Sequence, residues 1–279
     1  MTTLGWNVVR AERREVDLPS LRGEKPVLDG TVELPLGSVV VDPEDADRIL
    51  LAYLPAPLVR DRELRQVLLP LKIAAGSRTL GVTARSTTFG SVPRLEVRGR
   101  DWCRAAAFNE DHPEALALLA AQTGPLEEQY RALAPTAFLE HAHKADSIRH
   151  AWRLPGSRTF TGGVVNRDSN IGYHFDSGNF ADVWSAMIAL RRGMVGGELI
   201  LPELGMHLPI ADGSVTFFDG QGLLHGVTDM YKTSAAGYRI TVVYYSTRRL
   251  WACLAPELEL ARAKDKRTER ALRRAGEIE

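Results

Sequence analysis

Cysteine is scarce: Cys103 and Cys253 are the only two in 279 residues. Two thiols exclude a disulfide-dense scaffold and any zinc site built from cysteine alone, and the expected state of both is a reduced thiol in a cytoplasmic protein. Surplus charge is missing as well. Thirty-five basic residues balance thirty-five acidic ones, so net charge points to no polyanionic partner, although a neutral total leaves room for a basic face. Long apolar runs are absent too. The most apolar windows, Leu50–Leu58 and Val67–Ala75, are cut by proline or charge and fall short of the roughly 20 residues that a membrane-spanning helix needs. The first residues, Met1–Arg14, lack the apolar core of a secretory signal and carry Arg10, Glu12, Arg13 and Arg14. No repeat of solenoid period and no low-complexity stretch is present. The expectation is a soluble, cytoplasmic protein of ordinary globular composition.

Along the chain the pattern predicts one unit, 1–279, with helices mostly before and after a β core. The mixed N-terminal part spans 1–150. Val39–Val41 is β-branched, and Asp42-Pro43 opens an expected helix over Glu44–Tyr53. Leu58–Leu71 shows apolar residues at helical spacing, and Thr88–Arg94 carries turn residues and reads as a loop. A helical pattern runs from Pro113 to about Tyr130, with a break expected at Gly124-Pro125. From about 159 to 250 the character changes to short β-branched or aromatic runs divided by glycine-bearing turns: Gly162–Val165, Val183–Leu190, Glu198–Leu201, Ser214–Phe218 and Tyr238–Tyr245. That spacing indicates an antiparallel sandwich or barrel, hence an α+β fold class. The tail, about 256–277, alternates charge along a helical period and reads as a solvated helix.

Seven histidines occur, and most need only a hydrogen bond. His174 is different because Asp176 follows at i+2, and in a strand such residues point the same way. Imidazole and carboxylate would then stand side by side. His225 comes after a strand-like run and the turn Asp219-Gly220-Gln221-Gly222, and Arg239 lies within the β-forming run Tyr238–Tyr245. In that strand Arg239 and Thr241 share one face while Ile240 and Val242 take the other. Two imidazoles and one carboxylate on one face of iron(II) leave positions open for a 2-oxo acid and dioxygen. The planar fork of an arginine suits the far carboxylate of 2-oxoglutarate. Taken singly, each residue has a plain structural explanation; the ordered set in strand context points to a metal-dependent oxygenase.

With those residues in view, the chain resembles the TET/JBP branch of the iron(II)- and 2-oxoglutarate-dependent oxygenases. The resemblance rests on Phe89–Arg94, Leu133-Ala134-Pro135, Phe160–Gly163, His174–Asn179, Gly196–Leu199, Leu224–Val227 and Tyr238–Tyr245. It implies a double-stranded β-helix, or jelly-roll, core with flanking helices. It also implies Fe(II), 2-oxoglutarate and O2 as cofactors. Within it His174, Asp176 and His225 would bind the metal, and Arg239 with Thr241 would bind 2-oxoglutarate. Asn179 would contact the target base, or serve as a turn residue instead. Two departures are plain. Gly178 and Thr247 stand where animal TET enzymes carry histidines, and the cysteine-rich zinc region of those enzymes cannot be built from two cysteines. The resemblance is therefore to a minimal domain of bacterial or phage type. A second 2-oxoglutarate arginine has two candidates, Arg85 and Arg94.

For function the resemblance implies hydroxylation of the 5-methyl group of 5-methylcytosine or thymine in DNA, on a base flipped out of the stack, by a protein expected to be monomeric. Candidate DNA contacts are Arg94, Arg98, Arg100, Trp102, Arg104, Trp152, Arg158, Arg167, Tyr173 and Trp184, with Arg94–Arg104 the leading phosphate-facing stretch. The alternatives are hydroxylation of a protein side chain or small metabolite, and a non-catalytic β-barrel binding module. Halogenation is disfavoured, because Asp176 occupies the position that chemistry would need free of a carboxylate.

Overall fold

The computed structural model describes residues 5–12, 14–77, 83–95 and 101–277. Its centre is a ten-stranded sheet whose middle strands are Ser214–Phe218, Ser185–Arg192, Tyr238–Tyr245 and Gly162–Arg167, paired antiparallel in that order. Strands from the N-terminal third extend it on both sides. Ile49–Pro55 pairs with Ser214–Phe218, and Thr83–Val92 pairs with Gly162–Arg167. A smaller sheet contains Gly226–Val227, Leu199–Leu201, Met206–Leu208 and Val32–Glu33.

Alternation along the strands decides what each face does. On Tyr238–Tyr245, Ile240, Val242 and Tyr244 join Ala186, Ile188, Val215 and Phe217 in one buried cluster. That cluster is covered by Leu64 and Leu68 of the helix Asp61–Leu68, Leu118 and Leu119 of Pro113–Ala121, Tyr130 of Thr123–Leu133 and Phe138 of Pro135–Asp146. A second cluster joins Tyr53, Met187, Ala189 and Phe218 of the large sheet to Leu199, Leu201 and Leu208 of the small one. Helices thus cover one face of the large sheet and a second sheet covers the other. This is the α+β architecture with a jelly-roll core. Burying a side chain such as Phe217 or Leu119 stabilises the fold by about 1.5–3 kcal/mol.

The strands after 159 match the sequence pattern closely, but several earlier expectations fail. Glu44–Tyr53 is not a helix, since Ile49–Pro55 is a strand buried through most of its length. Such a strand shows no alternation to distinguish it from a buried helix. The Thr88–Arg94 loop is instead the end of the strand Thr83–Val92. Its Gly90, at φ +83°, lets the backbone cross Gly162, where a Cβ would stand 2.5 Å from the Gly162 Cα. The helical break falls at Gln122 rather than at Gly124-Pro125, which lies in the first turn of the following helix, where proline is tolerated. The cysteines are not free thiols: Cys103 and Cys253 form a disulfide with Cα atoms 5.9 Å apart. Spacing along the chain cannot announce such a pair. Glu259 fixes it from both sides, accepting hydrogen bonds from the Cys103 and Leu254 backbone N–H groups at 2.8 Å each. The tail helix, Pro256–Ala275, therefore docks through Glu259 and Ala263 and is solvated only on its remaining faces. Among the described residues no helix is long and apolar enough to cross a membrane.

Candidate active site

His174 and His225 face each other across an isolated antiparallel bridge, each N–H donating to the other's carbonyl at 2.9 and 3.1 Å. This pairing sets their rings 4.3 Å apart between centroids. The Nδ1 atoms lie 2.9 Å from the carbonyl oxygens of Gly172 and Leu223 respectively. A carbonyl can only accept, so each Nδ1 carries the proton and donates. Each Nε2 is left as a free lone pair directed away from the backbone, the arrangement that metal-binding imidazoles use. Asp176 completes the group, with Oδ1 3.7 Å from His174 Nε2 and Oδ2 4.0 Å from His225 Nε2. Burial and the neighbouring His174 push the His225 pKa down to about 4, which keeps that ring neutral and available at neutral pH. All three donor atoms lie within 4.8 Å of one another, close enough to hold one metal ion.

The turn beneath the triad is built for closeness. Asp176 N–H donates to the Gly220 carbonyl at 2.8 Å. Asp219 holds the same turn by accepting from the Gln221 and Asp182 N–H groups at 3.0 Å.

Arg239 comes up from the adjoining strand into the same cavity, a space of about 430 Å³ that also receives Thr241, Asn166 and Asn179. Only 2 % of Arg239 is exposed, yet its Nε and Nη2 have no hydrogen-bond partner among the described residues. Burial and the nearby Arg191 lower its pKa to about 10, so the guanidinium stays charged at neutral pH. The surrounding carboxylates are already engaged. Glu198 accepts from the Thr228 hydroxyl, and Asp168 pairs with Lys232 at 3.2 Å and accepts the Arg239 backbone N–H at 2.8 Å. A buried cation without a partner costs several kcal/mol, and an incoming carboxylate would offset that cost. Thr241 Oγ1 accepts from Asn166 Nδ2 at 3.3 Å, leaving its own hydroxyl proton free to donate to the same anion. The residues therefore fit an iron(II) ion beside a dicarboxylate.

Comparison with known proteins agrees with this geometry. Residues 99–248, more than half of the chain, match the model of the Tet_JBP family, the oxygenase domain of the 2OGFeDO superfamily. The chain belongs to the Tet_JBP family. It is an iron(II)- and 2-oxoglutarate-dependent dioxygenase, with O2 as the oxidant. No curated protein matches it in sequence. Among solved structures, NgTET1 in complex with 5mC DNA is 14% identical, with a TM-score of 0.61 over 93% of this chain and 91% of that one. An oxidoreductase of the 2OG-Fe(II) oxygenase family from Burkholderia pseudomallei is 18% identical, with a TM-score of 0.43 over 71% and 85% of the two chains.

Of the residues singled out in this Tet_JBP chain, His174, Asp176, His225, Arg239, Thr241 and Asn179 all line the one cavity. Asn179 is buried there, donating from Nδ2 to Ser185 Oγ at 3.3 Å and bridging to Thr247 through its backbone. Neither candidate for a second 2-oxoglutarate arginine reaches the cavity. Arg85 is exposed, and Arg94 is bound to Glu259 at 2.5 Å. Part of the expected phosphate-facing stretch is engaged within the protein. Trp102 lies under Arg267 and Arg270 of the tail helix at 5.6 and 5.9 Å, and Arg98 and Arg100 fall outside the described residues. Trp152, Tyr173 and Trp184 are buried, while Arg167 donates to the Leu69 and Leu71 carbonyls. Sequence reasoning passed over Arg22, which enters the cavity wall from far upstream. No local signal marked it.

Proposed function

We propose that this dioxygenase hydroxylates the 5-methyl group of a pyrimidine, 5-methylcytosine or thymine, in DNA. In this reading His174, Asp176 and His225 hold iron(II), and Arg239 with the Thr241 hydroxyl holds the far carboxylate of 2-oxoglutarate. The observation that carries the assignment is the buried, unpartnered Arg239 guanidinium in one cavity with the metal-type triad. The DNA substrate is supported by family membership and by the shared fold with a protein solved bound to 5mC DNA. When bound, iron with 2-oxoglutarate and dioxygen supplies the oxidation of an unactivated C–H bond, releasing succinate and carbon dioxide.

The chain's own residues do the rest. The Gly172 and Leu223 carbonyls fix both imidazoles before any ligand arrives, so metal binding requires little reorganisation. Arg239, held rigid by burial, orients the dicarboxylate through its planar fork. Met187, Leu199, Phe218 and Val227 give the cavity an apolar wall that limits water near the reacting bond. Asn179, with an amide that both donates and accepts, stands where a base edge could be read. A base reaches such a cavity only when flipped from the stack, at a cost of a few kcal/mol.

The test is incubation of the protein with iron(II), 2-oxoglutarate and DNA bearing 5-methylcytosine or thymine, followed by mass analysis of the digested nucleosides. An oxidised base, lost in His174→Ala, is the expected result. Succinate formation with no oxidised base from either DNA would transfer the activity to a protein side chain or a small metabolite.

A further inference from the structure

We infer that the cavity mouth carries a strand-gripping rim for nucleic acid, made by Arg248 and Trp251 on one side and Arg22 on the other. This inference rests on the DNA reading above and extends it to residues outside the proposed iron and 2-oxoglutarate set.

The first half of the rim is the 3-10 turn Arg248–Ala252 that follows the arginine strand. Its start is tied to the cavity wall, because Arg248 N–H donates to the Gly178 carbonyl at 3.0 Å and both Gly178 and Thr247 line the cavity. Its middle is anchored by fully buried Leu250, packed with Ile148, Trp152 and the Cys103–Cys253 disulfide. Side chains at i and i+3 eclipse in a 3-10 helix, so Arg248 and Trp251 share one face. That face is open: Arg248 is exposed without a side-chain partner among the described residues, and Trp251 is 64 % exposed.

The second half comes from the N-terminal segment 22–26, outside the family match. Gly23 N–H donates to the Tyr173 carbonyl at 2.8 Å, and Tyr173 N–H donates to the Glu24 carbonyl at 2.9 Å. The fit is close, since a Cβ on Gly172 would stand 2.6 Å from the Gly23 carbonyl oxygen. This bonding places Arg22 in the cavity wall, exposed and, among the described residues, without a side-chain partner. The segment 173–178, which carries His174 and Asp176, therefore has a free guanidinium at each end. Its two anchor points, five residues apart, are separated by at most about 18 Å, a span of a few nucleotides at about 3.4 Å each along a strand.

Much of the basic charge on the tail helix is engaged instead: Arg262, Lys266 and Arg270 surround Asp101, and Arg273 pairs with Glu269. An unpaired guanidinium beside an exposed indole, at the mouth of a base-sized cavity, matches a phosphate contact next to a stacking platform.

The experiment is DNA binding by the full chain, followed by fluorescence anisotropy on 5-methylcytosine and thymine duplexes between about 50 and 200 mM salt. Arg22→Gln and Arg248→Gln should each flatten the slope of log affinity against log salt by about 0.9, and Arg22→Lys and Arg248→Lys should restore it. Trp251→Ala should weaken binding roughly tenfold with the slope unchanged. Arg131→Gln, on an exposed helix position away from the cavity, should bind as the wild type does. DNA-independent conversion of 2-oxoglutarate to succinate should be the same in the Arg248, Trp251 and Arg131 variants, whose positions lie outside the cavity lining. If the wild type binds and oxidises DNA while the three rim variants match it in affinity and slope, the rim is wrong and the substrate reading stands. If the wild type neither binds DNA in a salt-dependent way nor oxidises it, the substrate reading fails and the rim with it. Equal binding of poly-glutamate, lost in the same variants, would reassign the rim to an acidic peptide.

Discussion

Gly220 lies so close under Asp176 that a Cβ at that position would stand 2.6 Å from the carboxylate Oδ2. The obstructing atom belongs to the proposed metal ligand itself. Gly220→Ala should therefore push the carboxylate off its position while leaving both imidazoles in place. Iron(II) affinity is expected to fall about 10- to 100-fold, the usual effect of disturbing a ligand's support. Titration of the metal-free variant with cobalt(II), followed by its absorption spectrum, checks this; unchanged affinity would show that Asp176 does not depend on the turn.

Arg239 should give effects of opposite sign on binding and on stability. Arg239→Met removes the cation proposed to hold 2-oxoglutarate, so the KM for 2-oxoglutarate should rise at least about 30-fold, corresponding to roughly 2 kcal/mol. The same change removes a buried charge without a partner, so the melting temperature without co-substrate should hold steady or rise. A variant that melts earlier and keeps its KM would place the co-substrate elsewhere.

His141 makes acid stability testable. It is fully buried, with Nε2 2.7 Å from Ser246 Oγ, and burial drives its pKa down from 6.5 to about 3. The unfolded chain protonates this ring near pH 6.5, whereas the folded chain resists until about 3. Unfolding therefore takes up a proton inside that window. The ring's contribution to stability is complete above pH 6.5 and declines toward pH 3, by about 1.4 kcal/mol per pH unit at most. Denaturant titrations across that range should show a shallower acid dependence for His141→Gln, which has nothing to titrate. Parallel curves for variant and wild type would refute the assignment.

The Cys103–Cys253 bridge joins residues 150 apart in sequence, so it closes a large loop in the unfolded chain. Replacing both with alanine, or adding reductant, should cost about 2–4 kcal/mol of stability. A melting temperature indifferent to reductant would mean that the bridge contributes little.

Much of the site was legible because strands impose a period of two. Arg239 and Thr241 face the cavity, and Ile240 and Val242 face the helices, as alternation requires. His174 and Asp176 do come together as the i, i+2 spacing suggested, although the segment is no strand: His174 makes a single bridge to His225, and the Asp176 N–H is held by the Gly220 carbonyl. Where alternation is lost, so is the signal. Ile49–Pro55 is buried almost throughout and resembles a helix core as much as a strand. The cysteine pair and the approach of Arg22 depend on contacts between distant segments, which no local pattern carries. The surroundings of Trp102 were not legible for a related reason: its neighbours Arg267 and Arg270 come from the far end of the chain.

The large sheet has a consequence for how the enzyme can be divided. The Ile49–Pro55 and Thr83–Val92 strands, which flank its four middle strands, both come from before residue 99. A fragment trimmed to the family match would keep every proposed iron ligand but bare two long apolar borders, each a template for self-association. The smallest autonomous catalyst in this protein must therefore reach well upstream of the segment by which its lineage is known.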